Sequence, residues 1–368
     1  MTQTPTTRPP APPQAAGAGA ARRPDGVTAL LSRWFTAGLL LDAWAHNNLP
    51  GLESFFTPWH AVFYSGFAAT AAWLAWVVRG PLLAAVRGPG TLRERWDGVP
   101  SAYRTALLAA AAFGVAGVGD MVWHTVLGIE QAIRILFSPT HLALATAMVL
   151  IVSTPLRTAR ADDGLGPDPG LRRLLPAVAG LALATAQVLL FVQYGNALVR
   201  RGEGYLVAFG YTDTLFTAWV LSSVVLTTLV LVVPLLHLAT LWRLPPGAVT
   251  VLFGACGALS LAVAGGANRV TVATVLVAGM LCDVAVRWLR PGPDRRRAVL
   301  ALGALVPGVT WTLVVAVAVL TRSPGDRAGT APLQLELVLG MPVVQALVGL
   351  LAAHVMTAGR VGSPRVGG

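Results

Sequence analysis

Apolar runs of roughly 20 residues, separated by short polar segments, recur along most of the chain, and each is long enough to cross a hydrocarbon core of about 30 Å as a helix. The strands of a membrane barrel would be shorter and would alternate polar with apolar positions. The pattern predicts an all-α, polytopic integral membrane protein with about ten transmembrane helices. The expected spans are 27–47, 59–79, 104–125, 140–156, 174–194, 214–240, 247–265, 269–289, 298–320 and 333–356. Pro234, Pro307 and Pro342 fall inside spans, which packed membrane helices tolerate. The expected organisation is a disordered cytoplasmic tail (1–25), a four-helix region (26–156), a cytoplasmic loop (157–173), a six-helix membrane region (174–357) and a second cytoplasmic tail (358–368).

Composition agrees with lipid as the solvent. Hydrophobic residues make up 55% of the 368 residues and charged residues only 12%, and the mean hydropathy is +0.66, too apolar for a water-covered surface. The stretch from Met1 to about Asp25 is rich in Pro, Ala and Thr and lacks an apolar core, so it reads as a tail and not as a signal peptide. The net charge of +11 does not point to nucleic acid, because all 27 basic residues are Arg in short loops without aromatic interleaving. Their distribution is topological. Arg22, Arg23, Arg79, Arg87, Arg93, Arg95, Arg157, Arg160, Arg172, Arg173, Arg243, Arg290 and Arg295 to Arg297 fall on one side. The other side holds only Arg134, Arg200, Arg201, Arg269, Arg322 and Arg327. The positive-inside rule then places both termini in the cytoplasm of a cell-membrane protein.

Two segments repeat one another. Asp42-Ala-Trp-Ala-His46, Gly51-Leu-Glu53 and Phe56-Thr-Pro-Trp-His60 match Asp120-Met-Val-Trp-His124, Gly128-Ile-Glu130 and Phe137-Ser-Pro-Thr-His141. The shared pattern closes one span and opens the next, which predicts an internal helical-hairpin repeat in the first four helices. Asp and His at i and i+4 share a helix face, so Asp42 with His46, and Asp120 with His124, can aim at a common atom. Thr57 and Ser138 have the chemistry of N-caps and Pro58 and Pro139 that of first helical residues, which puts His60 and His141 in the first turn. By the Arg distribution this face is extracytoplasmic.

Ionisable groups within spans cost a few kcal/mol each unless compensated. A divalent cation held by neutral imidazoles and carboxylates supplies that compensation, and Asp42, His46, Glu53, His60, Asp120, His124, Glu130 and His141 are the candidate ligands. Cys256 and Cys282 lie inside apolar runs and form neither a disulfide framework nor a CxxC motif, so the ligands are N and O donors. Copper is favoured, with zinc or iron as alternatives. The competing structural account is a pair of hydrogen-bonded Asp–His contacts that fix helix packing. Trp44, Trp59 and Trp123 suit interfacial anchors. Asp213 and Glu336 suit a cap and a helix-dipole partner, although both could join the same face. His237 and His354 are read as structural, and Asp283 lies near a cytoplasmic helix end.

Asp42-x3-His46 followed by His60 resembles the membrane copper site in the C subunit of the particulate methane and ammonia monooxygenases, where an Asp-x3-His pair on one helix is joined by a His from another. The resemblance is local to this motif, and the present chain carries the motif twice and has more spans. It implies copper binding by Asp42, His46 and His60, and by Asp120, His124 and His141. The expected function is a membrane metalloenzyme, oxidative and monooxygenase-like, acting on a small apolar substrate. The alternatives are a transporter or metal-handling protein using the same residues, and a metal-dependent membrane hydrolase. A haem protein fits less well, since His in first turns beside carboxylates suits a hard cation better than a porphyrin. The lipid bilayer is the expected partner; the role of the last six spans and any partner subunits are not legible.

Overall fold

The computed structural model describes residues 23–49, 56–128, 132–210, 214–322 and 332–358. Among the described residues there are helices and no strands. In chain order they are α1 (Arg23–Asn48), α2 (Pro58–Val77), α3 (Arg79–Arg87), α4 (Leu92–Asp97), α5 (Ser101–Leu127), α6 (Pro139–Val152) and α7 (Thr154–Arg160). They continue as α8 (Leu171–Phe191), α9 (Gly202–Gly210), α10 (Thr214–Leu241), α11 (Ala248–Val263), α12 (Arg269–Leu289), α13 (Arg296–Leu320) and α14 (Leu335–Ala358). Short 3-10 turns cover Ala132–Phe137, Asp163–Leu165, Gln193–Gly195 and Ala197–Val199.

Every apolar stretch in the sequence coincides with a helix, but fewer are complete spans than expected. Six helices (α5, α8, α10, α12, α13 and α14) are long and apolar enough to cross a membrane, and up to eight if the bent pairs α2–α3 and α6–α7 each form one span. The axis turns by 73° between α2 and α3 and by 42° between α6 and α7. Helix α11 is only 16 residues long, and α1, at 26 residues, is made less apolar by Arg33 and Asp42. Helix α1 also starts at Arg23, inside the segment expected to be a tail. Asp25 in its first turn accepts a hydrogen bond from Thr158 Oγ1 at 2.9 Å, which ties that end to α7. Exposed apolar stripes run along α5 (Val115, Val118, Val122, Val126) and α14 (Leu339, Val343, Leu347, Leu351, Val355), as lipid-facing helices require. The chain is a multi-pass helical membrane protein.

Two packed regions meet along α8. The first contains α1, α2, α5 and α6 around a buried cluster of Phe35, Phe63 and Phe113, with ring centroids 5.2–5.7 Å apart. Helices α1 and α2 approach unusually closely because glycine stands at both contact points. A Cβ on Gly38 would lie 2.6 Å from Phe63 Cα, and one on Gly66 would lie 2.6 Å from Phe35 Cα. The second region is the larger core of α8 and α10–α14, in which Gly303 and Gly349 bring α13 and α14 into backbone contact. Gln187 Nε2 donates to Thr36 Oγ1 at 3.0 Å, linking α8 to α1, and Asn48 Nδ2 donates to Ala262 O at 3.3 Å, linking α1 to α11. At the opposite end of α8, Asp168 pairs with Arg243 (3.1 Å) and Arg290 (2.8 Å), and Arg243 also pairs with Asp294 (3.0 Å). Three connecting segments are clipped together there.

Candidate metal centre

Helix geometry builds the site from both sides. Asp42 and His46 lie one turn apart near the C-terminal end of α1, and His60 sits in the first turn of α2. That first turn is set by Thr57, whose hydroxyl accepts from His60 N at 3.1 Å, and by Pro58 at the first helical position. The same local chemistry starts α6, where Ser138 Oγ accepts from His141 N at 3.3 Å and Pro139 follows. Asp120 and His124 occupy the last turns of α5.

The result is two Asp/His/His groups. In the first, His46 Nε2 and His60 Nε2 each lie 3.7 Å from Asp42 Oδ2. In the second, His124 Nε2 lies 3.4 Å from Asp120 Oδ2, and His141 Nδ1 lies 3.6 Å from Asp120 Oδ1. The imidazole centroids are 5.7 Å apart in one group and 5.5 Å in the other. Within each group one ligand atom per residue can be chosen so that all lie within 4.8 Å of one another. Both aspartates are buried, at 8% and 2% exposure. The Asp–His separations are longer than a charge-assisted hydrogen bond of about 2.8 Å. Those from Asp42 to His46 and His60, and from Asp120 to His124, fall close to the ligand-to-ligand edge of about 3.3–3.6 Å around an ion with bonds near 2.0–2.1 Å. Three side chains held apart in this way can coordinate a metal ion.

The two groups differ in their supporting hydrogen bonds. In the second, Thr140 Oγ1 donates to Asp120 Oδ1 at 2.7 Å. Its single proton is thereby committed, so its oxygen accepts from Ser138 Oγ, 2.9 Å away. Ser138 then has only lone pairs left for His141 Nδ1, 2.8 Å away, and this nitrogen carries the hydrogen. The chain selects the tautomer of His141 whose Nε2 offers a lone pair, as outer hydrogen bonds do around metal sites. In the first group Trp59 replaces Thr140, and Asp42 Oδ1 is buried without a hydrogen-bond partner among the described residues. His60 Nδ1 is 3.1 Å from Thr57 Oγ1, and its Nε2 is the nitrogen nearer Asp42. Trp44 and Trp59 pack edge to face at 6.1 Å.

All four imidazoles and Asp42 border one cavity of about 160 Å³. Its other walls come from Leu39, Ala43 and Asn47 of α1, from Ile135 and Leu136, and from Leu190, Phe191 and Gln193 at the end of α8. The two groups of ligands face a common space. Glu53, Glu130 and Asp213 lie outside the described residues. Glu336 does not line this cavity. It borders a different cavity, between α10 and α14. Asp283 is structural: it accepts from Val249 N, Thr250 N and Thr250 Oγ1 at 2.6–3.2 Å and so caps the start of α11. His354 lies 3.2 Å from Arg296.

Sequence reasoning missed Thr140, Gln193 and the apolar wall. Thr140 carried a legible signal, since it stands beside His141 in the first turn of α6; Gln193, far along the chain, carried none. No protein-family model, curated protein or solved structure matches this chain.

Proposed function

We propose that this protein is a membrane metalloprotein that binds transition-metal ions at Asp42/His46/His60 and at Asp120/His124/His141, and that it is an oxidative, monooxygenase-like enzyme. The observation that carries the metal function is the spacing of the groups: in the pairs Asp42–His46, Asp42–His60 and Asp120–His124 the imidazole Nε2 and a carboxylate oxygen lie 3.4–3.7 Å apart, longer than usual hydrogen bonds and suited to a common ion. The buried Asp42 Oδ1, which has no donor among the described residues, supports it, because a buried carboxylate oxygen without a donor is costly unless a cation compensates it. Three protein ligands leave a coordination position open toward the cavity, which suits catalysis better than a closed structural site. Copper is the favoured metal, on the all-N/O donor set and on the resemblance to the monooxygenase copper site, with zinc or iron as alternatives. In this proposal Glu53 and Glu130 reach the same face from their loops, the hairpins are an internal repeat, and the site faces outward from the cell membrane with both termini in the cytoplasm.

A metal-handling or transport protein would use the same residues. It is disfavoured because the one buried charged residue among the described residues of α8–α14 is Asp283, whose carboxylate is committed to capping α11. A metal-dependent hydrolase, with metal-bound water as the nucleophile, is the nearest enzymatic alternative. The deciding experiment is elemental analysis of protein purified in mild detergent, for wild type, His46→Ala and His124→Ala. Wild type is expected to hold transition metal and each variant to lose most of the metal from its own group. Full occupancy in both variants, or none in the wild type, removes the basis of the function.

A further inference from the structure

The two metal groups meet at one level of the bundle. Tyr64 stands one turn after His60 on α2, with the two ring centroids 6.2 Å apart. Its phenol lies over Gly117 of α5, where a Cβ would stand 3.1 Å from both Cε1 and Oη of the tyrosine. Gly117 in turn precedes Asp120 by three residues. Helix α2 starts, and α5 ends, at the cavity, so His60 and Asp120 both lie one helical turn of ~5.4 Å from the Tyr64–Gly117 contact and in the same direction. Charge reaches across as well: His46 interacts electrostatically with His124, His141 and Asp120, and Asp42 with Asp120. Side chains that would hold one ion are thus neighbours of those that would hold the other.

We infer that the two groups form one dinuclear centre, in which a single small anion bridges the two ions across the cavity that both groups border. The inference rests on the metal function proposed above. Three protein ligands leave each ion short of a closed tetrahedral site, and the missing ligand has to come from space that the group borders. That space is shared: all four imidazoles and Asp42 border a cavity of about 160 Å³, close to the roughly 150 Å³ of a protein cavity that holds benzene. A ligand confined to so small a volume is in reach of both groups. Its chemistry follows from what a bridge requires. Two lone pairs must be directed at two cations, and an anion of a few atoms supplies them with charge that both ions attract. Among the described residues no Arg borders the cavity, so an anion there has no partner of opposite charge except the ions themselves, and the two together hold it better than either alone.

The test loads the full-length protein, purified in mild detergent, with copper(II) as the probe metal and titrates it with azide as the probe anion. Wild type is expected to take up a pair of copper ions and to bind one azide per pair. Azide is expected to couple the two spins, so that the EPR intensity of isolated cupric ions is largely lost. His46→Ala and His124→Ala, each left with one intact group, are expected to hold a single copper ion whose EPR intensity azide does not reduce. Protein without copper is expected to bind no azide. The wild-type azide stoichiometry and spin intensity decide the matter even where a variant fails to fold. One azide on each copper ion, no azide bound, azide binding without copper, or the full intensity of isolated ions after azide overturns the dinuclear centre. Metal content measured on the same samples separates this centre from the metal function. A pair of copper ions that stay magnetically isolated refutes the bridge alone, whereas a wild type that takes up no copper refutes the metal function and the bridge with it.

Discussion

Thr140 is the residue through which the second group is tuned. It donates to Asp120 at 2.7 Å and through Ser138 fixes the hydrogen on His141 Nδ1. Removing a supporting hydrogen bond of this kind commonly weakens metal binding by about 10–100-fold. Thr140→Val is therefore expected to lower affinity at the Asp120 group by about that factor while leaving the Asp42 group unchanged, and Thr140→Ser is expected to restore it. Chelator competition on the purified protein measures both. Equal affinity in wild type and Thr140→Val would show that the hydroxyl chain does not orient the ligands. The first group has no counterpart to this hydroxyl, since Trp59 occupies the equivalent place. The two ions are thus expected to differ in affinity even though their ligand types are the same.

At the scale of elements, the α1–α2 hairpin carries the first group only because its helices touch backbone to backbone. With a Cβ at Gly38 only 2.6 Å from Phe63 Cα, Gly38→Val must push α2 away, and overpacking of this kind costs about 1–3 kcal/mol. The expected outcome is a lower unfolding temperature together with loss of metal from the Asp42 group, because His60 moves with α2 while Asp42 and His46 stay on α1. Gly114→Ala, at a position where an added Cβ meets nothing within 4 Å, is the control and should change neither property. A different element depends on Asp283, which satisfies the N-terminal amides of α11 from α12. Asp283→Ala should cost about 0.5–2 kcal/mol by loss of that cap, read as a lower unfolding temperature at unchanged metal content.

For the whole molecule, the Arg distribution and the position of the cavity predict which end faces outward. Cys256 and Cys282 are both buried, so an engineered surface cysteine can be labelled against a low background. In intact cells an impermeant maleimide is expected to label Phe56→Cys, beside the metal groups, and to leave Arg87→Cys unlabelled until the membrane is permeabilised. The reverse pattern would invert the topology. Two packed regions joined along α8 also explain how helices without metal ligands contribute to the site. The end of α8 carries Leu190, Phe191 and Gln193 to the cavity formed by the first four long helices, so the later part of the chain supplies a wall as well as a scaffold.

Much of this was determined by sequence alone, because it depends on local rules. Apolar run length specifies helices in lipid, the i, i+4 spacing puts Asp42 with His46 and Asp120 with His124 on one face, and a hydroxyl followed by proline starts the helix that presents His60 or His141. Those constraints act within a few residues and need no knowledge of what packs nearby. The number of complete spans was less legible from hydropathy, because the bends at Val78 and Ser153 stand beside Pro81 and Pro155, which interrupt a helix without making the run less apolar. Helix α9 lies in a segment too short and mixed to signal a span, and its helicity is set by packing of Tyr205, Leu206 and Phe209 into the bundle. Only the tertiary structure decided that the imidazoles of both ligand sets border one cavity, that Thr140 fixes the His141 tautomer while Asp42 Oδ1 has no donor among the described residues, and that Gln193 lines the same cavity. These features are contacts between residues distant in sequence or between side chains whose rotamers depend on packing, and linear spacing carries no information about either.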